Sequence, residues 1–149
     1  FIVGNPTEPP KYILSFMLIH STYASEIIGK WQTIDDTSKQ PKSVVEISQD
    51  SKGNYSGKIV KLYPAPGKDP NPMCLTCPGE LKGQPIIGMQ IINDLKKEGE
   101  SFTGGTILDP VSGKTYKCTL KRDGEKLSVR GYIGFSLIGR TQTWNPLSE

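Results

Sequence analysis

The chain is 149 residues long, with 35% apolar and 22% charged residues, which suits one globular domain around a single core and leaves little room for a second. Eighteen Lys and Arg against 15 Asp and Glu give a formal charge of +3, far from the strongly basic footprint of a dedicated nucleic-acid binder. Sixteen Gly and 12 Pro point to strands joined by turns and away from helical bundles and coiled coils.

At the N-terminal end, Lys11 precedes the apolar run Tyr12 to Ile19, and small and polar residues follow up to Ser25. This is the order of a secretory signal, with a cut after Ala24 and Phe1 to Pro10 as an upstream extension. The run is too short to span a bilayer. The competing reading is an ordinary buried strand or helix packed on the domain. If the signal reading holds, residues 26–149 form an exported domain. The segment 1–25 carries only Glu8 and Lys11, so its loss leaves the charge at +3.

From there the pattern is short strands separated by turn chemistry. The expected strands are Lys30 to Ile34, Ser43 to Ser48, Tyr55 to Tyr63, Gly88 to Leu95, Phe102 to Leu108, Lys114 to Lys121, Lys126 to Ile133 and Phe135 to Trp144. In Thr115 to Lys121 the residues Tyr116, Cys118 and Leu120 share one face, and Thr115, Lys117, Thr119 and Lys121 the other. Asp50 to Gly53, Lys97 to Gly99, Asp109 to Gly113 and Arg122 to Glu125 supply turns, the last an Asp-Gly hairpin signal. Gly104-Gly105 inside a strand pattern reads as a bulge. Eight sequential antiparallel strands leave two edges unless the sheet closes, so an all-β up-and-down barrel is expected, its interior able to hold one small ligand.

One stretch breaks the rhythm. Between Pro64 and Pro85 lie six of the 12 prolines, which excludes a helix or a central strand and indicates a long loop, such as a lid or rim. Within it, Cys74 and Cys77 form a disulfide or inert thiols, half a zinc site, or a redox pair. The strand-to-helix context of a thioredoxin-like dithiol is missing, and further zinc ligands are confined to Cys118 and His20. No metal or cofactor is therefore expected, and Cys118 is the candidate buried free thiol.

Gly29-Lys30-Trp31 on the first strand and Gly139-Arg140-Thr141 on the last resemble the G-x-W and terminal basic residue of the lipocalin and wider calycin families. A longer resemblance covers roughly residues 29 to 144. It runs through Asp35-Asp36, Pro41 to Ile47, Gly57 to Val60, Cys74-Leu75-Thr76-Cys77, Asp109-Pro110, Gly113 to Tyr116 and Val129 to Gly134. It is to an uncharacterised bacterial family of small exported proteins, a domain of unknown function. The resemblance implies a lipocalin-like barrel, periplasmic or secreted, with no established family activity.

Physically, Arg140 stacked on Trp31 would tie the last strand to the first and plug one barrel end. Trp144 packs either on the outer wall or at a contact between two copies in a homodimer. Asp35 and Asp36 are adjacent, point to opposite faces of a strand, and suit turn chemistry. Arg130 and Tyr132 share a strand face opposite Leu127, Val129 and Ile133, either outward or, in a polar interior, as anchors for an acidic head group. Met89, Ile91, Tyr116, Leu120, Leu127, Val129, Phe135 and Leu137 are the inward set, lining a cavity or filling a core.

The phosphate-loop and dinucleotide fingerprints are missing, and the lone His20 gives no triad to a processed domain. The leading expectation is non-enzymatic binding or transport of a small hydrophobic, fatty-acid-like ligand, with no nucleic acid and no stable membrane insertion. The alternatives are an interaction surface built on Lys58, Lys61, Lys117 and Lys121, and thiol redox chemistry at Cys74 and Cys77.

Overall fold

A computed structural model describes residues 26–135 and 138–147. The expected signal segment and Leu137 fall outside the described residues. Eight strands, β1 (Gly29–Ile34), β2 (Pro41–Gln49), β3 (Tyr55–Leu62), β4 (Gln90–Glu98), β5 (Ser101–Leu108), β6 (Thr115–Asp123), β7 (Lys126–Tyr132) and β8 (Gly139–Pro146), follow one another in space as in sequence. Every neighbour pair is antiparallel, and β8 returns to β1, so the sheet is a closed up-and-down barrel.

Period-two alternation places one face of each strand inside. Trp31 is level with Val45, Gly57 with Ile92, Phe102 and Val129 with Leu120, and Leu127 with Trp144. These inward side chains form one contiguous buried cluster, in which Phe102, Leu95, Leu120 and Leu127 have no exposure at all. Trp144 belongs to it, so the expected place on an outer wall or subunit contact is wrong. Two residues on from Gln142 and pairing with Leu127, Trp144 points inward by strand parity.

Gly104-Gly105 is a bulge, as its sequence suggests. Gly104 has φ +77°, and the β5–β6 register shifts between Phe102 and Gly105. Gly105 lets neighbouring β4 come close: a Cβ there would lie 2.4 Å from the Asn93 carbonyl oxygen and 2.9 Å from the Leu95 side chain. Asp94 on β4 also has a positive φ, of 62°, so the two strands bend together at this level.

The two ends of the barrel differ. The β2–β3, β4–β5 and β6–β7 hairpins are short and surround what we term the capped pole. At the open pole lie the β1–β2, β5–β6 and β7–β8 connections and the long β3–β4 loop, whose only regular helical element is one 3-10 turn at Gly79–Leu81. Strand β8 starts at Gly139 rather than near Phe135, so Ile133, Phe135 and Ile138 belong to the β7–β8 connection. Gly105→Ala is expected to lower stability by about 1–3 kcal/mol through overpacking against β4, measured as a shift of the urea midpoint with an unchanged slope.

Candidate functional site

The capped pole is built from Trp31. Its indole Nε1–H donates to the Ile27 carbonyl at 2.9 Å, and Ile27 is itself wholly buried, so residues 26–28 form a strap beneath the first strand. The Arg122 guanidinium lies 5.3 Å from the Trp31 ring centroid, donates to the Glu26 carbonyl through Nη1, and donates to the Gly124 carbonyl through Nε at 3.0 Å. Arg122 thus does what the sequence assigned to Arg140.

The register explains the correction. Trp31 is level with Pro146, which places Arg140 six residues away along β8, roughly 20 Å at extended-strand rise. Arg140 sits instead at the open pole, level with Gly131, and pairs with Asp36 of the β1–β2 turn at 2.9 Å. It does tie β8 to the start of the chain's fold, through a carboxylate rather than an indole.

That carboxylate joins a small network. Asp36 Oδ2 also accepts from Gln142 Nε2 at 3.2 Å, and Gln142 Oε1 accepts from Trp144 Nε1 at 3.1 Å. Arg140, Gln142 and Trp144 are spaced by two along β8 and so share the inner face, descending from the open rim into the core. Asp35, by contrast, closes its turn: its Oδ1 accepts from the Thr37 and Ser38 amides, and these hydrogen bonds hold its pKa below the usual value.

Beside the network lies an apolar row. Ile107 on β5 is level with Ile92 on β4 and with Tyr116 on β6. The space above Gly131 on β7 is bounded by Tyr116 and Ile107, whose nearest atoms would stand 3.6–3.9 Å from a Cβ there. Ile107, Tyr116 and Gly131 face inward yet are only half-buried, unlike the inward residues nearer the capped pole. The row ends at Arg140, so an apolar shelf with a charged end faces the open pole.

The β3–β4 loop packs against the β5–β6 turn and against Met89, the residue before β4. Cys74 and Cys77 are joined by a disulfide and buried in the core cluster. The Cys74 amide donates to the Gln84 carbonyl at 2.8 Å and the Gly83 amide to the Cys74 carbonyl at 2.7 Å, which closes the loop on itself. Thr76 Oγ1 donates towards the Pro110 and Val111 carbonyls at 3.4 and 3.2 Å, docking it on the β5–β6 turn. Gly113 is needed there: with φ +76°, it would carry a Cβ only 1.9 Å from the Thr76 carbonyl oxygen.

Of the expected inward set, Leu120, Leu127 and Val129 are in the buried cluster on the inner face and Tyr116 is on the shelf; Met89 and Ile91 are buried as well, but Ile91 adjoins the inward Ile92 and so faces the outer side of β4, and Met89 lies against Cys77 of the β3–β4 loop. Phe135 is not inward but 77% exposed, because it precedes β8. Arg130 is on the outer wall, level with Thr119 and Thr141, and its Nη1 donates to Thr141 Oγ1 at 3.0 Å. Burial pushes the Cys118 thiol up to about 12, well away from the range of a reactive thiolate. Among the described residues, no group of three or more His, Cys, Asp or Glu is arranged to hold a metal ion.

Residues 29–145 match the model of a family described as an uncharacterized protein conserved in bacteria, DUF2147. The chain belongs to this family. Protein HP1028 from the human pathogen Helicobacter pylori, described as belonging to the lipocalin family, is similar in structure with a TM-score of 0.72 at 23% identity. That match covers 83% of this chain and 84% of the other, and supports a lipocalin-like fold. The comparison with curated proteins gave no match.

Arg122→Ala is expected to destabilise this DUF2147 protein by about 1–2 kcal/mol and to red-shift Trp emission, because it uncovers Trp31 and frees the strap. Arg140→Ala, at an exposed ion pair, is expected to cost less than about 1 kcal/mol and leave the emission unchanged; chemical denaturation followed by fluorescence checks both.

Proposed function

We propose that this protein binds a small, largely apolar molecule at its open pole, as a non-enzymatic carrier or scavenger. The observation that carries this reading is the half-buried inward row Ile107, Tyr116 and Gly131 ending at the Arg140–Asp36 pair. Its chemistry suits an amphipathic ligand: the apolar body covers the row, and the polar head meets Arg140, Asp36 and Gln142. The ion pair presents a donor and an acceptor together, so the head is held by hydrogen bonds without leaving an uncompensated charge.

The architecture supports the same reading. A barrel of about eight strands is wide enough for one small ligand. Here the capped pole is sealed by the strap, and the β3–β4 loop is pinned at the opposite end by its disulfide. The disulfide also favours a protein working outside the cytoplasm, in the bacterial envelope or secreted.

Titration with N-phenyl-1-naphthylamine, whose emission rises in apolar surroundings, tests the proposal. Saturable binding of one probe per chain, competed by a long-chain fatty acid, is expected. Gly131→Val places two methyl groups above Tyr116 and is expected to weaken binding by about tenfold while leaving the thermal midpoint in place. Unsaturable binding, or saturable binding untouched by Gly131→Val, would contradict the assignment to this shelf.

A further inference from the structure

Two donors on β8 converge on a single oxygen atom. Arg140 Nη2 lies 2.9 Å from Asp36 Oδ2, and Gln142 Nε2 donates to the same atom at 3.2 Å. A guanidinium and an amide two residues apart on one strand face thus already hold a carboxylate, and that carboxylate is the protein's own. The amide is preset for this task. Trp144 Nε1–H donates to Gln142 Oε1 at 3.1 Å, which fixes the two ends of the amide and turns its NH2 group towards Asp36.

The position of Asp36 makes it replaceable. It stands on the β1–β2 turn, and the side chains of Arg140 and Asp36 are 75% and 44% exposed, so the pair is solvated and weak. Other bonds close the turn. Asp35 Oδ1 accepts from the Thr37 and Ser38 amides, the Asp35 amide donates to the Gln40 carbonyl, and the Lys39 amide donates to the Asp35 carbonyl. An Asp36 side chain that releases Arg140 therefore returns to water and leaves no buried charge behind.

We infer that the head group of the ligand is a carboxylate, and that it takes the place of Asp36 on Arg140 and Gln142. This rests on the reading of the open pole as a site for an amphipathic molecule and specifies its head. Asp36 is then an internal competitor, a tethered carboxylate that fills the two donors until an external one exchanges with it. The external carboxylate has an advantage that Asp36 lacks, an apolar body that covers Ile107, Tyr116 and Gly131. The exchange swaps one carboxylate for another, so Arg140 is neutralised before and after. A neutral head gains less there, because an uncharged acceptor makes the weaker hydrogen bond to a guanidinium. Deeper hydroxyls do not compete for the head: the buried Thr33 and Ser43 side chains bond each other at 2.7 Å.

The test is displacement of N-phenyl-1-naphthylamine from the full chain by three amphiphiles with the same tail, decanoate, decan-1-ol and decylammonium. Wild type is expected to take decanoate about threefold more tightly than decanol, and Asp36→Asn to raise that preference about tenfold. Arg140→Gln is expected to abolish the preference, and Asp36→Asn added to Arg140→Gln to restore none of it, because Asp36 acts through Arg140. Equal affinity for acid and alcohol in both wild type and Asp36→Asn would overturn the proposal while leaving the amphiphile site in place. Tightest binding of decylammonium would overturn it too, by giving the head to Asp36 instead of Arg140. A gain in decanoate affinity from Asp36→Asn that persists without Arg140 would also overturn it, reducing Asp36 to a repelling charge. Absence of saturable probe binding would remove the amphiphile site itself, and this inference with it.

Discussion

Closure of the sheet between β1 and β8 is the constraint on which the rest of this structure depends. An eight-strand meander left open would expose two edge strands, each with a row of unpaired backbone groups. Yet the seam is short: Trp31 with Pro146 and Gln32 with Asn145 are its register pairs, and the Leu147 amide adds a hydrogen bond to the Lys30 carbonyl. Side chains reinforce it at both ends. At the capped pole, Trp31 is held between the strap and Arg122; at the open pole, Asp36 binds Arg140 and Gln142 across the seam.

These two reinforcements use different chemistry, and that difference gives the barrel its polarity. An indole covered by a guanidinium excludes water and seals. An exposed carboxylate–guanidinium pair closes the backbone seam while leaving the rim wet and able to exchange partners. The β3–β4 loop adds a third element at the open pole. Its disulfide is buried among core residues and its Thr76 hydroxyl is tied to the β5–β6 turn, so the loop is an ordered part of the rim. The apolar shelf and the exposed residues Leu75, Val111 and Phe135 then lie at one end by construction, the shelf inside and the exposed residues outside.

The strands and most turns were legible because they are written locally. Tyr116, Cys118 and Leu120 alternate with Lys and Thr, and Arg122 to Glu125 carries its own hairpin signal. Two errors came from long-range register, which no local pattern encodes. Arg140 and Trp31 are near opposite ends of the barrel because the closing pair is Trp31 with Pro146. Phe135 is outside because β8 starts four residues later than its apolar neighbours suggest. The β8 part of the site could have been found by carrying the period of two through Arg140, Gln142 and Trp144, which puts all three on one face. The shelf residue Ile107 was harder, since the bulge at Gly104-Gly105 resets the parity of its strand.

The central claim is that the open pole of this barrel holds a small amphipathic molecule. Native mass spectrometry of the purified full chain, followed by denaturation and identification of whatever is released, tests it most directly. The account predicts an adduct of one small molecule per chain, released on unfolding and bearing an apolar body with a polar head. A bare protein mass that persists after incubation with a mixture of fatty acids and other amphiphiles would contradict it.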